Sequence, residues 1–98
     1  MAKLVVLYPP PTDSETFERR YREEHEPLVE GKMPNLRAFA AGRVVDSPDY
    51  ARIAELTFDT VDDLRAALAS AEGKAVVGHA LEISTGGPMT VLVVEDSR

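Results

Sequence analysis

The apolar positions fall into short runs separated by strong turn signals. Leu4 to Tyr8 is rich in valine and leucine and stops at three consecutive prolines, Pro9 to Pro11. Proline cannot donate to a strand ladder, so this run reads as a buried strand with an abrupt end. A helix opens next, capped either by Thr12 paired with Glu15 or by Asp13 alone. On it Phe17, Tyr21, His25 and Leu28 fall within an arc of about 80°, and Arg19, Arg20, Arg22, Glu23 and Glu26 fill the rest. Pro27 predicts that the helix ends or kinks beside His25, because its ring clashes with the carbonyl of Glu23. Leu36 to Val45 reads as a second strand, with small residues on one side and Arg37, Phe39 and Arg43 on the other. Asp46-Ser47-Pro48-Asp49 is a turn, so Tyr50 to Phe58 returns as a hairpin. Thr60 and Asp63 open a second helix with Val61, Leu64, Ala67 and Leu68 as its apolar stripe. Ser70 caps a further piece, Ala71 to about Ala80. Gly86-Gly87-Pro88 turns the chain into a last strand, Met89 to Glu95, and the polar tail Asp96-Ser97-Arg98 is expected to fray.

Strand, helix, strand, strand, helix, strand closes most simply as a four-stranded antiparallel sheet with its helices on one face. That is the ferredoxin-like α+β architecture, βαββαβ, over residues 1–98 as a single domain. Its first and last strands should be neighbours at or near the sheet centre. Both are apolar on two faces, since Val5 and Leu7 alternate with Leu4, Val6 and Tyr8, and Val91 and Val93 with Leu92 and Val94. Helices cover only one face. A homodimer packed sheet against sheet is the expected cover for the other.

Composition narrows the function. The 98 residues suit one domain, and the absence of cysteine removes disulfides, thiolate catalysis and cysteine-held metal centres together. With 17 acidic against 11 basic side chains the net charge is −6. Such a chain repels a phosphate backbone, so nucleic acid is not an expected partner. No apolar run approaches the roughly 18 residues of a membrane span. The stretch after Met1 is too short for a signal peptide and lacks a cleavage site, so a cytoplasmic protein is expected.

Chemistry centres on His25, one of two histidines. It lies on the apolar stripe one turn after Tyr21, where a neutral imidazole could act as a general acid or base or hold a ligand carbonyl. It could equally be a core histidine bonded to a carbonyl freed by Pro27. Metal ligation has little support, because no His-x-x-x-His or cysteine cluster exists and His79 lies on the other helix. Tyr8 and Tyr21 bring hydroxyls near His25 if the first strand and helix pack together, although tyrosine is also an ordinary edge-of-core residue. Glu55 on an interior strand is a candidate for a raised pKa on the covered face, or for a wet interface with Arg37, Arg43 or Arg52. Gly86-Gly87 precedes a strand and is no phosphate loop. Nucleotide fingerprints and a nucleophile elbow are absent.

Tyr8-Pro9, then Phe17, Tyr21, His25, Pro27, Leu28, Pro34 and Leu36, resemble the EthD-like family of dimeric α+β barrels. Tyr50, Ile53, Glu55 and Phe58 on the third strand agree, as do Ser70, Glu72 and Gly73 between helix pieces. The combination Tyr-x-x-x-His-x-Pro-Leu late in the first helix is the most specific part. Asn35 stands where a glycine is common, and Ser84-Thr85-Gly86-Gly87 replaces the acidic and aromatic residues many members carry before the last strand. The resemblance implies a ligand pocket between helices and sheet, lined here by Tyr8, Phe17, Tyr21, His25, Phe58 and Leu68. Similar barrels include cofactor-free monooxygenases, lactone isomerases and polyketide-tailoring decarboxylases, and small members of the family are often labelled oxidoreductases. Two ligand-handling functions are therefore expected candidates, beside a purely structural dimeric module. One is a cofactor-independent enzyme of oxidoreductase, isomerase or decarboxylase type acting on a small hydrophobic molecule, with His25 moving a proton and Tyr21 or Tyr8 steering it. The other is a non-catalytic ligand-binding or accessory dimer, since one histidine in an apolar pocket serves either role.

Overall fold

Strand β1 (Ala2–Tyr8) is the hub of the sheet in the computed structural model, which describes residues 1–97. It pairs antiparallel with β3 (Arg52–Phe58) on one side and with β4 (Thr90–Glu95) on the other, and β2 (Ala38–Arg43) closes the hairpin with β3. The order β2-β3-β1-β4 is the ferredoxin-like arrangement. β1 is central as expected, but β4 is an edge strand and is not near the centre. Pairing runs past its end, because the Asp96 amide donates to the Met1 carbonyl at 3.0 Å. Asp96 is therefore tied to β1, while Arg98 lies outside the described residues.

Strict alternation on β1 buries Ala2, Leu4, Val6 and Tyr8, and the register sets Ala54, Leu56 and Phe58 of β3 on the same face. Against this face pack the helices α1 (Ser14–Arg20), α2 (Glu26–Lys32), α3 (Val61–Ala69) and α4 (Ala71–Ile83). The caps are local and polar. Asp13, not Thr12, caps α1 by accepting from the Thr16 amide at 3.2 Å, and Thr12 instead gives its own amide to Thr85 Oγ1. Thr60 accepts from the Asp63 amide at 3.0 Å, and Ser70 from the Gly73 amide at 2.9 Å. Gly73 is required there, because a Cβ would stand 1.8 Å from the Ala67 carbonyl oxygen. Asn35 takes the left-handed conformation at φ 61°, a turn geometry asparagine tolerates better than most residues.

The first helix does not end at Pro27. It runs on to Lys32, and the irregularity is a π turn, Tyr21–His25, in which the Glu26 amide donates to the Tyr21 carbonyl five residues back. One extra residue in the turn restarts the α register at Glu26, so Pro27 falls in a first turn, where its missing N–H has no partner to lose. The same extra residue moves the inward stripe. Val29 and Met33 are buried, and Leu28 is only half-buried.

The opposite sheet face is open in the single chain. Val5 opposes Leu92 there and Leu7 opposes Ile53, with Ala38, Ala40 and Val94 alongside. Leu92 and Val94 are 47% and 41% exposed. No helix among the described residues is long and apolar enough to cross a membrane.

Candidate active site

The helices do not close fully on the sheet. A cavity of about 400 Å³ remains between them, walled by Val6 and Leu56 of the sheet, Val29 and Met33 of α2, and Val76 and Leu81 of α4. Its volume lies within the range of small-molecule sites. Apart from Tyr8, His25 and Lys74, every residue lining it is apolar. Tyr8, His25 and Leu68 therefore stand where the pocket was expected. Phe17, Tyr21 and Phe58 are not in the lining, and they form buried packing beside it.

His25 is 4% exposed. Burial, and secondly the neighbouring His79, push it down from 6.5 to about 4, so the ring is neutral at neutral pH. Its Nε2 is 3.4 Å from the Tyr8 hydroxyl, and its Nδ1 is 2.9 Å from Nδ1 of His79. The two imidazole planes lie within 9° of parallel. Stacked faces cannot approach closer than about 3.5 Å, so the rings meet edge to edge through a hydrogen bond. His79 Nε2 in turn is 3.2 Å from Glu24 Oε1, and Arg20 holds that carboxylate at 3.0 Å while also binding Glu82. The Arg20 hydrogen bond, followed by that from His79, holds the Glu24 carboxyl below its ordinary range.

The tautomers follow from the outer end inward. An ionised carboxylate only accepts, so His79 carries its hydrogen on Nε2 and offers a bare Nδ1. His25 then donates from Nδ1 and leaves Nε2 bare as an acceptor. Tyr8 donates to that nitrogen. Burial raises Tyr8 far above the ordinary phenol range, with Arg52 opposing weakly, so its hydroxyl keeps its proton.

Tyr21 sits behind this line. Its ring centroid lies 5.6 Å from Tyr8 and 5.3 Å from His25, and the Arg52 guanidinium covers its face at 4.5 Å. Arg52 is itself anchored by Glu18 at 2.6 Å. The Tyr21 hydroxyl is buried with no hydrogen-bond partner among the described residues, which leaves an uncommitted polar group in the cluster. Glu55, by contrast, is not part of the site. It points to the open sheet face, is 41% exposed, and meets Lys3 at 3.8 Å and not an arginine. Among the described residues no group of three or more histidine, aspartate or glutamate side chains converges as a metal centre.

The chain as a whole is similar to known proteins in sequence and in fold. The EthD domain model matches residues 9–80. The chain belongs to the EthD family. An EthD-family protein from Bacillus halodurans, solved by crystallography, is 32% identical, with a TM-score of 0.89 over 98% of both chains. An uncharacterised 11.0 kDa protein encoded between thcB and thcC in Rhodococcus erythropolis is 30% identical over 98% of this chain and 95% of its own. At lower identity the EthD fold is shared with a dimeric ferredoxin-like protein of unknown function from Jannaschia sp. (20%, TM-score 0.77, 97% and 98% of the chains). It is shared also with SnoaB, a cofactor-independent oxygenase from Streptomyces nogalater (14%, TM-score 0.70, 99% and 93%).

Proposed function

We propose that this EthD protein is a cofactor-independent enzyme that takes an apolar small molecule into the cavity and exchanges a proton with it through His25. One observation carries the reading: a neutral histidine with a bare acceptor nitrogen, beside a protonated tyrosine, in an otherwise apolar cavity. A weakly acidic C–H or O–H group would be held by the walls, displace the Tyr8 O–H from His25 Nε2 and lose its proton to that nitrogen, and the freed Tyr8 hydroxyl would donate to the anionic oxygen left behind. Tyr8 and His25 are thus the proposed catalytic residues and Leu68 part of the binding wall. Phe17, Tyr21 and Phe58 support the site from behind. Deprotonation of this kind opens isomerase and cofactor-free oxygenase chemistry, and the reverse transfer, a proton given to carbon, would complete a decarboxylation; the SnoaB likeness in fold is consistent with the oxygenase reading.

The working form is proposed to be a cytoplasmic homodimer, joined through the open sheet face. Each fully buried valine, leucine or isoleucine side chain is worth about 1.5–3 kcal/mol, and Val5, Leu7, Ile53, Leu92 and Val94 are all available. The test of function is a panel of apolar phenols, cyclic ketones and lactones, followed by amide NMR and by deuterium uptake from heavy water. Binding is expected to shift Val6, Val29 and Ala80, and uptake is expected to vanish in His25→Asn while binding persists. Shifts at the cavity without uptake for any compound would leave a ligand-binding module. Shifts confined to the surface would overturn the site.

A further inference from the structure

The hydrogen bonds around His25 all run in one direction. Tyr8 O–H donates to His25 Nε2, His25 Nδ1–H to His79 Nδ1, and His79 Nε2–H to the Glu24 carboxylate. This chain begins at the buried Tyr8, 1% exposed, and ends at a carboxylate 47% exposed. The geometry points to a proton relay in which His79 and Glu24, neither of which touches the cavity, connect His25 to bulk water. The inference rests on the proposed chemistry at His25 but is measured independently of it.

The step balances without any further reagent. As the Tyr8 O–H turns from Nε2 to the ligand, a proton from the ligand forms the Nε2–H bond of His25, the Nδ1–H bond of the same ring breaks, and that hydrogen arrives on His79 Nδ1. His25 is neutral again. The positive charge now sits on His79, beside Glu24, and is released to water when His79 gives up its Nε2 proton. The reverse sequence delivers a proton to the cavity. Burial makes a lasting charge on His25 costly, and the relay removes the need for one. The charged groups around the outer ring are Glu24 on the π turn, Arg20 on α1 and Glu82 on α4, with His25 the facing titratable group and Tyr8 and Arg52 on the inner side. Arg20 bridges Glu24 and Glu82, so it fixes the terminal acceptor in place. His79 and Glu24 are accordingly positioning residues.

Protein labelled with 15N in its imidazole rings tests this by long-range proton–nitrogen NMR, with no ligand required. Near neutral pH His25 is expected as the Nδ1–H tautomer and His79 as the Nε2–H tautomer. On acidification to about pH 5 His25 is expected to keep its neutral Nδ1–H form. Glu24→Ala is a surface change that removes the terminal acceptor, and it is expected to weaken the Nε2–H preference of His79. His79→Phe, which keeps a ring in place, is expected to slow solvent exchange of the His25 ring hydrogen at least ten-fold. An Nε2–H tautomer at His25, an Nδ1–H tautomer at His79, an unchanged His79 tautomer balance in Glu24→Ala, or unchanged exchange in His79→Phe would each overturn the relay. If the tautomers hold and no compound exchanges deuterium, the relay stands and the proposed catalysis fails.

Discussion

Acid should destabilise this fold in a pH window set by one side chain. The unfolded chain protonates His25 near the ordinary value of 6.5, whereas the folded protein resists until about 4. Between these values the unfolded state binds more protons, so stability is fully present above about 6.5 and falls as the pH drops through the window. At about 1.4 kcal/mol per pH unit the limiting loss is about 3 kcal/mol, of which about 2 kcal/mol should already be gone at pH 4.5. The assay is urea unfolding at fixed protein concentration, at several pH values from 7 to 4.5, on the natural protein and on His25→Asn. The variant starts less stable, because it loses a buried ring, but its curve should be flatter. Asp13 and Glu24 also have lowered carboxyl values, yet their contributions fade only below 3.8 and 4.5, and both proteins share them. The two curves should therefore converge by about 2 kcal/mol on going from pH 7 to 4.5. Parallel curves would mean that His25 takes up its proton as readily in the fold as in the unfolded chain, and the argument that the cavity holds it neutral would fail.

Three further outcomes follow from the packing. Leu92→Glu on the open sheet face should convert a species of twice the chain mass in sedimentation into the single chain without unfolding it; a natural protein that is already monomeric would show that the face needs no partner. Gly73→Ala, which helix propensity alone would favour by about 1 kcal/mol, should instead cost more than about 2 kcal/mol, because the methyl group meets the Ala67 carbonyl; thermal or urea unfolding reads the sign. Ala54→Leu should fill cavity space at a cost below about 1 kcal/mol, or even stabilise, while blocking ligand uptake; a cost of about 3 kcal/mol would show that this wall is already packed.

Much of the fold is legible because its signals are local. Thr60 and Ser70 act as the caps their positions predict, and the alternation on β1 names its buried face correctly. The site is half legible for the same reason. His25 sits among apolar residues at helical spacing, and its inward direction follows from that alone. The position of β4 at the edge is less local, because two-sided apolarity signals a buried strand whether the cover comes from the same chain or from another. Glu55 misleads through its strand: β3 is interior, but alternate positions on an interior strand still face opposite ways, and Glu55 falls on the uncovered side. His79 could not be assigned from its own neighbourhood, because its partner lies 54 residues away and meets it only where α4 crosses the π turn.

The π turn itself did leave a trace. Phe17, Tyr21, His25, Val29 and Met33 recur at a strict spacing of four and are all buried. In a regular α-helix each such step drifts by about 40°, so four steps carry the stripe through about 160°, too far for one face against a flat sheet. Either the outer members are exposed or the helix is locally unwound. Breaking the stripe at Leu28, as a strict 3.6-residue period does, hides that choice. Holding it through Val29 and Met33 demands a widened turn near its middle, next to Pro27, where an extra residue also relieves the proline. That turn carries both Glu24 and His25, and widening it keeps His25 on the cavity side while α2 continues beneath α4. The irregularity that brings His25 and His79 together is thus written in the spacing of the helix's large side chains, and Pro27 marks where it must fall.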